Sequence, residues 1–153
     1  GGRAAHPALT MRSALEDRGA LLARFDAVRA LTRALVTPLS AEDMQAQSMP
    51  DASPAKWHLA HTTWFFETFL CQAFEAGFEP YDRRYGHLFN SYYETVGSQW
   101  PRPQRGLLTR PPLADILAYR TRTEEAIHRL AAAAPEEAWT QIAPLLELGL
   151  HHE

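Results

Sequence analysis

One cysteine, Cys71, and one lysine, Lys56, are all that 153 residues contain of either type, and each scarcity removes a class of explanation. A lone cysteine cannot build a disulfide framework. Its neighbours Phe69, Leu70 and Phe74 suit a buried, inert thiol better than a reactive one, which needs an exposed electropositive setting. Lys and Arg together number 15 against 18 Asp and Glu, a formal net charge of −3, so the clustered basic excess of a nucleic-acid footprint is lacking. No apolar run approaches the roughly 20 residues that cross a bilayer, and the N-terminus has no charged-then-apolar signal pattern. The expected setting is therefore soluble and cytoplasmic, without nucleic-acid or membrane partners. Strand-like alternation and internal repeats are also lacking.

What is present is helical spacing. "GGRAAHPALT", residues 1–10, has no periodic pattern and is expected to be a disordered leader or tag remnant. From Met11, "MRSALEDRGALLARFDAVRALTRALV" sets Leu15, Leu21, Leu22, Phe25, Val28, Leu31 and Leu35 near helical spacing, with Arg and Asp on the other face. Three prolines and many small polar residues make 37–54 a connecting loop. Ser53 followed by Pro54 is a helix start, and the second helix runs through "AKWHLAHTTWFFETFLCQAF" to end near Gly77. A segment rich in Gly, Pro, Tyr and Arg follows from Glu79 to about Pro112, with at most a short helix around "HLFNSYYETV". Helical spacing returns in "PLADILAYRTRTEEAIHRLAAAA" until Pro135, and a last helix is expected to restart at Pro144. The fold class expected is all-α: an up-and-down bundle of four helices spanning 11–153, with a long irregular segment.

Two constellations could carry chemistry. In "KWHLAHTTWFFE", His61 shares a helix face with Trp57, Trp64, Phe65 and Thr68, so it faces the core either as a hydrogen-bonded core histidine or as a metal ligand. The terminal helix offers adjacent His151 and His152, which point about 100° apart, so one of them can share a centre with His61. A mononuclear site with open positions normally has three protein ligands, so a third is expected one turn further on. The second constellation is "QWPRPQRGLLTRPP", where prolines hold Arg102 and Arg105 on a stiff backbone. That suits forks aimed at a carboxylate, and it is also compatible with a solvated surface loop.

Taken together, "SMPDASPAKWHLAHTTWFFETFL", "LFNSYYETVG", "PRPQRGLLTRP" and "LELGLHHE" resemble the N-terminal DinB-like helical domain of the hercynine oxygenase (EgtB) family, from about residue 20 to the last residue. The resemblance implies a non-haem iron(II) enzyme that uses O2 to join the sulfur of cysteine or γ-glutamylcysteine to the imidazole carbon of hercynine, Nα-trimethylated histidine, as a sulfoxide in ergothioneine biosynthesis. It implies Fe(II) as cofactor, His61 and His152 as metal ligands, and Arg102 and Arg105 as the binders of the thiol substrate's carboxylate end. His58 and His151 do not match ligand positions. In the family a third histidine follows four residues after the one matched by His152, and a C-terminal domain resembling the formylglycine-generating enzyme supplies further substrate contacts and a catalytic tyrosine. Neither lies within these 153 residues. The expectation is of a chain truncated inside its last helix and inactive alone, with no catalytic residue assignable in it. Two rivals stand beside this reading: a selenoneine synthase that transfers selenium to hercynine, and a non-catalytic DinB-like bundle that binds a metal or a thiol.

Overall fold

The computed structural model describes residues 7–39, 43–44, 55–89 and 111–153. Arg102 and Arg105 lie outside the described residues. All regular structure among those described is helical: α1 (Pro7–Val36), α2 (Ala55–Phe66), the short α3 (Tyr85–Leu88), α4 (Leu113–Ala133) and α5 (Glu136–His152). A π-helical turn, Glu67–Cys71, and a last α-turn, Gln72–Phe74, prolong α2. None of these helices is long and apolar enough to cross a membrane.

The helical bundle expected from periodicity is what forms, and cross-helix pairs fix the directions of its members. Along α1, Arg18 meets Glu136, Arg24 meets Glu147 and Arg29 meets Glu153, so α1 and α5 run parallel. Arg18 also reaches Ala131 and Ala134 while Arg29 reaches Glu124, so α4 runs against α1. Lys56 bonds to Pro111, Arg120 to Leu59, and Glu75 to Arg129, so α2 and α4 run together. The order is therefore up, down, down, up rather than strict alternation. The chain between Phe74 and Leu113 therefore has to lead from one end of the bundle back to the other.

Three boundaries differ from the sequence expectation. α1 begins at Pro7, inside the stretch read as an unpatterned leader, and proline is well suited to a first helical position because its missing N–H has no intrahelical partner there. α5 begins at Glu136 and runs through Pro144 instead of restarting at it. A proline inside a helix costs roughly 3 kcal/mol. Trp139, Ile142, Leu146 and Leu150 are all buried on the same helix, and full burial of such side chains is worth about 1.5–3 kcal/mol each, which outweighs the break. A short helix begins at Tyr85, two residues before "HLFNSYYETV", and runs to Leu88; residues 90–96 of that stretch lie outside the described residues.

The core follows α2, whose Trp57, Leu59, Ala60, Trp64, Phe65 and Phe66 are all buried against α4 and α5. Phe25 of α1 meets Phe66 edge-on at 5.1 Å. On α1 the inward row departs from the leucine count: Leu21 and Phe25 are buried, whereas Leu31 and Leu35 are 59% and 70% exposed. The row that continues inward from Phe25 at helical spacing passes through Arg29, which is buried, and Arg18 one turn before Leu21 is buried too. Arginines expected on the solvent face thus occupy core positions.

Candidate metal centre

α2 and α5 bring two imidazoles together near one end of the bundle. His61 is 4% exposed and lies between two indoles, stacked on Trp57 at 4.6 Å and on Trp64 at 5.6 Å with interplanar angles of 11° and 17°. These are its i−4 and i+3 neighbours on one helix face, so α2 itself holds the ring plane. Its Nδ1 lies 2.5 Å from the carbonyl oxygen of Phe89, just past α3. A carbonyl can only accept, so Nδ1 carries the proton and Nε2 presents its lone pair. The last carbonyls of a helix have no intrahelical donors. Leu88 and Phe89 are such residues for α3, and α2 supplies the missing donors from Trp57 Nε1 at 3.2 Å and from His61.

The His61 lone pair faces Nε2 of His152 at 2.8 Å, and the two rings meet edge-on with centroids 4.9 Å apart. His152 also lies against Phe65 at 5.6 Å. Gly149, one turn earlier on α5, makes this approach possible. A Cβ there would stand 2.3 Å from Phe66 Cε1 and 3.0 Å from Phe65 Cε1, so α5 can lie this close to α2 only where it has no side chain.

The pair fits one metal ion. Two nitrogens bound at about 2.0–2.1 Å and near a right angle stand roughly 2.9 Å apart, close to the separation seen here. A ligand histidine typically donates its other N–H to a carbonyl or carboxylate, as His61 does to Phe89. Among the described residues no group of three or more His, Cys, Asp or Glu side chains gathers. What the described residues bring together is a pair of histidines, with their Nε2 atoms at hydrogen-bonding distance. His58 and His151 are exposed, His58 with its ring edge-on to Trp57 at 5.3 Å.

Beside the histidines lies a charge cluster that the sequence reading missed. Arg29 of α1 and Arg120 of α4 are 3% and 1% exposed, and both reach the carboxylate of Glu153, the residue after His152, at 3.2 Å. Arg29 also pairs with Glu124 at 2.9 Å and donates to Thr63 at 2.6 Å. Arg120 donates to the Leu59 carbonyl at 3.0 Å and to the Arg29 carbonyl at 3.3 Å. Burial, and then the neighbouring Arg29 guanidinium, pull Arg120 down to about 10, with Glu153 opposing. The available signals were Thr62 and Thr63 in an otherwise apolar helix, and an arginine one turn after Phe25 on an inward row.

A second polar cluster sits where α2 widens. Glu67 is 3% exposed and accepts from the Tyr81 N–H at 3.0 Å and the Tyr119 hydroxyl at 3.3 Å. Burial raises its pKa, while the Tyr81 and Tyr119 hydrogen bonds and the Arg122 charge pull it back. Cys71 is fully buried, and burial together with the fields of Glu67 and Glu75 pushes its thiol up to about 12. That agrees with an inert, packed cysteine.

With a helical bundle, a histidine pair and supporting arginines in place, the family assignment rests on the sequence profile of the DinB superfamily, which matches residues 24–150. The chain belongs to the DinB superfamily. The match takes in α2, α4 and nearly all of α5, including His61 and the Gly149 contact, and it stops just short of His152. No curated protein matches the chain. Within the superfamily, a metal-binding DinB-like domain is compatible with the histidine pair described above.

Proposed function

We propose that this DinB-like domain is the iron-binding part of a cytoplasmic, O2-dependent sulfoxide synthase that joins cysteine or γ-glutamylcysteine to hercynine in ergothioneine biosynthesis. The observation that supports the reading is the 2.8 Å approach of the His61 and His152 Nε2 atoms, with the His61 tautomer set by Phe89. Iron(II), when bound, would supply the redox chemistry that ordinary side chains lack. His61 and His152 would hold it as neutral imidazoles, and the reading needs a third ligand beyond the two that the described residues bring together. Trp57 and Trp64 keep the His61 ring from turning, and Phe65 lies against the exposed His152 ring. Arg102 and Arg105 are proposed to hold the carboxylate end of the thiol substrate, a task suited to planar two-donor forks.

The reaction balances with O2 as the sole oxidant. A C–S bond forms at the imidazole carbon, one oxygen atom goes to sulfur, and the other leaves as water with the thiol and imidazole hydrogens. The test is to supply the gene product with Fe(II), O2, hercynine and either thiol, and to follow the sulfoxide by mass spectrometry. These 153 residues alone are expected to give no product; product is expected from a protein that also carries the third histidine and the C-terminal domain that the reading requires, and is expected to vanish there in His61→Ala and His152→Ala. Turnover of a selenosugar in preference to both thiols would replace the proposal with selenoneine synthesis. Metal binding at the two histidines without any product would leave a non-catalytic metal-binding bundle.

A further inference from the structure

Whether His152 faces His61 depends on the rotation of α5 about its own axis. Such a rotation would carry His152 away from His61, since side chains one position apart on a helix diverge by about 100°. The residue next to His152 is held by side chains from two other helices. Glu153 is only 1% exposed in its side chain and accepts from Arg29 and from Arg120, which belong to two other helices. Arg120 is anchored in turn on the backbone of α2 at Leu59, two residues before His61, and on the backbone of α1 at Arg29. Arg29 is anchored on Thr63, two residues after His61.

We infer that Arg29 and Arg120, acting through the Glu153 carboxylate, are positioning residues that lock the rotation of α5 so that His152 faces His61. This rests on the reading of the histidine pair as a metal half-site. A buried ion pair is weak evidence for net stability, because desolvation consumes most of the Coulombic gain, and its best-attested use is to specify one arrangement among several of similar energy. The geometry here has that character. One carboxylate is gripped from two directions by guanidinium groups that also donate to the stretch of α2 that carries His61, Arg29 to Thr63 and Arg120 to the Leu59 carbonyl. The cluster spans α1, α2, α4 and α5, so a shift of α5 at Glu153 breaks both charge-assisted bonds to its carboxylate, from Arg29 and from Arg120.

A merely structural role is separated from positioning by comparing this cluster with Arg18, which is buried among other partners at α4's last turn and grips no residue next to a histidine of the pair. Glu153→Gln keeps size and removes the charge, Arg120→Met removes one grip, and Arg18→Met is the control. In the metal-free chain, an NOE between the ring protons of His61 and His152 reads their approach directly. Co(II), titrated by its visible absorption, reads ligand affinity. The NOE is expected to weaken or vanish in Glu153→Gln and Arg120→Met. Their Co(II) affinity is expected to fall by about 10–100-fold, the range for loss of a ligand-orienting partner. Arg18→Met is expected to leave both readouts near those of the natural chain. Retention of the NOE in Glu153→Gln, or an equal loss in Arg18→Met, overturns the positioning role. Co(II) binding that ignores His61→Ala and His152→Ala overturns the metal reading instead, and the metal-free NOE still decides the positioning role. Should Arg120→Met fail to fold, Glu153→Gln decides alone.

Discussion

Two buried arginine clusters stand at different levels of the same bundle, and they differ in what their charges meet. Around Arg18, one guanidinium nitrogen caps α4 by donating to Ala131 and Ala134 at 2.9 and 2.7 Å, and the group lies over Trp139 at 4.8 Å. Its carboxylate partner, Glu136, is 64% exposed. Around Arg120 and Arg29, the partner Glu153 is 1% exposed, and two cations share it. The first arrangement satisfies orphan carbonyls at a helix end, as a cap does. The second pays the desolvation of three charges in one place, which is hard to justify by stability alone and easier to understand if position is what matters.

The sharpest way to break this comparison is to remove one cation from each cluster. Arg120→Met leaves a buried carboxylate with half its partners and is expected to cost about 3–5 kcal/mol. Arg18→Met leaves two carbonyls unsatisfied and is expected to cost about 1–3 kcal/mol. Chemical denaturation of both variants checks the order, and equal costs would erase the distinction drawn here. Next in size is Gly149→Ala. Its new methyl would meet the ring of Phe66, and overpacking of that kind costs about 1–3 kcal/mol. The expected signature is a lengthened His61–His152 separation, read as loss of Co(II) affinity together with the fall in stability. An alanine that left both unchanged would mean that α5 does not depend on that close contact.

The smallest effect is expected at Glu67, whose buried carboxyl offers a contrast to the charged clusters because, among the described residues, its hydrogen bonds come from Tyr81 and Tyr119 and not from a cation. Burial raises its pKa above the ordinary 4.5, so the folded chain binds this proton more tightly than the unfolded chain does. Stability from this group is therefore greatest at low pH and declines as pH rises from about the ordinary value through the raised one. Glu67→Gln should remove that decline, so melting temperatures of the variant should exceed those of the natural chain near neutrality and converge with them in acid. Parallel melting profiles for the two proteins across that window would show that the carboxyl is well compensated by Tyr81, Tyr119 and Arg122.

Much of this was legible in the sequence, and the failures share a cause. Helical spacing marked α1, α2, α4 and α5, because an amphipathic stripe is a property of neighbouring residues and survives without knowledge of the partner helix. His61 was identifiable as inward-facing from Trp57 and Trp64 at its own turn, and the structure stacks it between them. The choice of His152 over His151 came from resemblance, since helical geometry alone said only that one of the two could face His61. Arg29 was assigned to solvent because a count of apolar positions treats every charge as outward, and only tertiary contacts reveal that it and Arg120 have buried company. Pro144 was read as a start signal for the same reason: its local cost was visible, and the packing that offsets it was not. The direction of α4 depends on how the long connection returns, which no local pattern encodes. Arg102 and Arg105 fall outside the described residues, so their role stays with the proposal.

His61 and His152 are 91 positions apart along the chain, and their meeting closes a long loop. Closing so long a loop costs conformational entropy that must be repaid by contacts formed first, so such long-range pairs tend to form late in folding. The two imidazoles can face each other only after α1, α2 and α4 have built the floor on which α5 settles. A metal-binding signal from this pair would therefore double as a proofreading mark, present on correctly finished molecules and missing from those that stopped short.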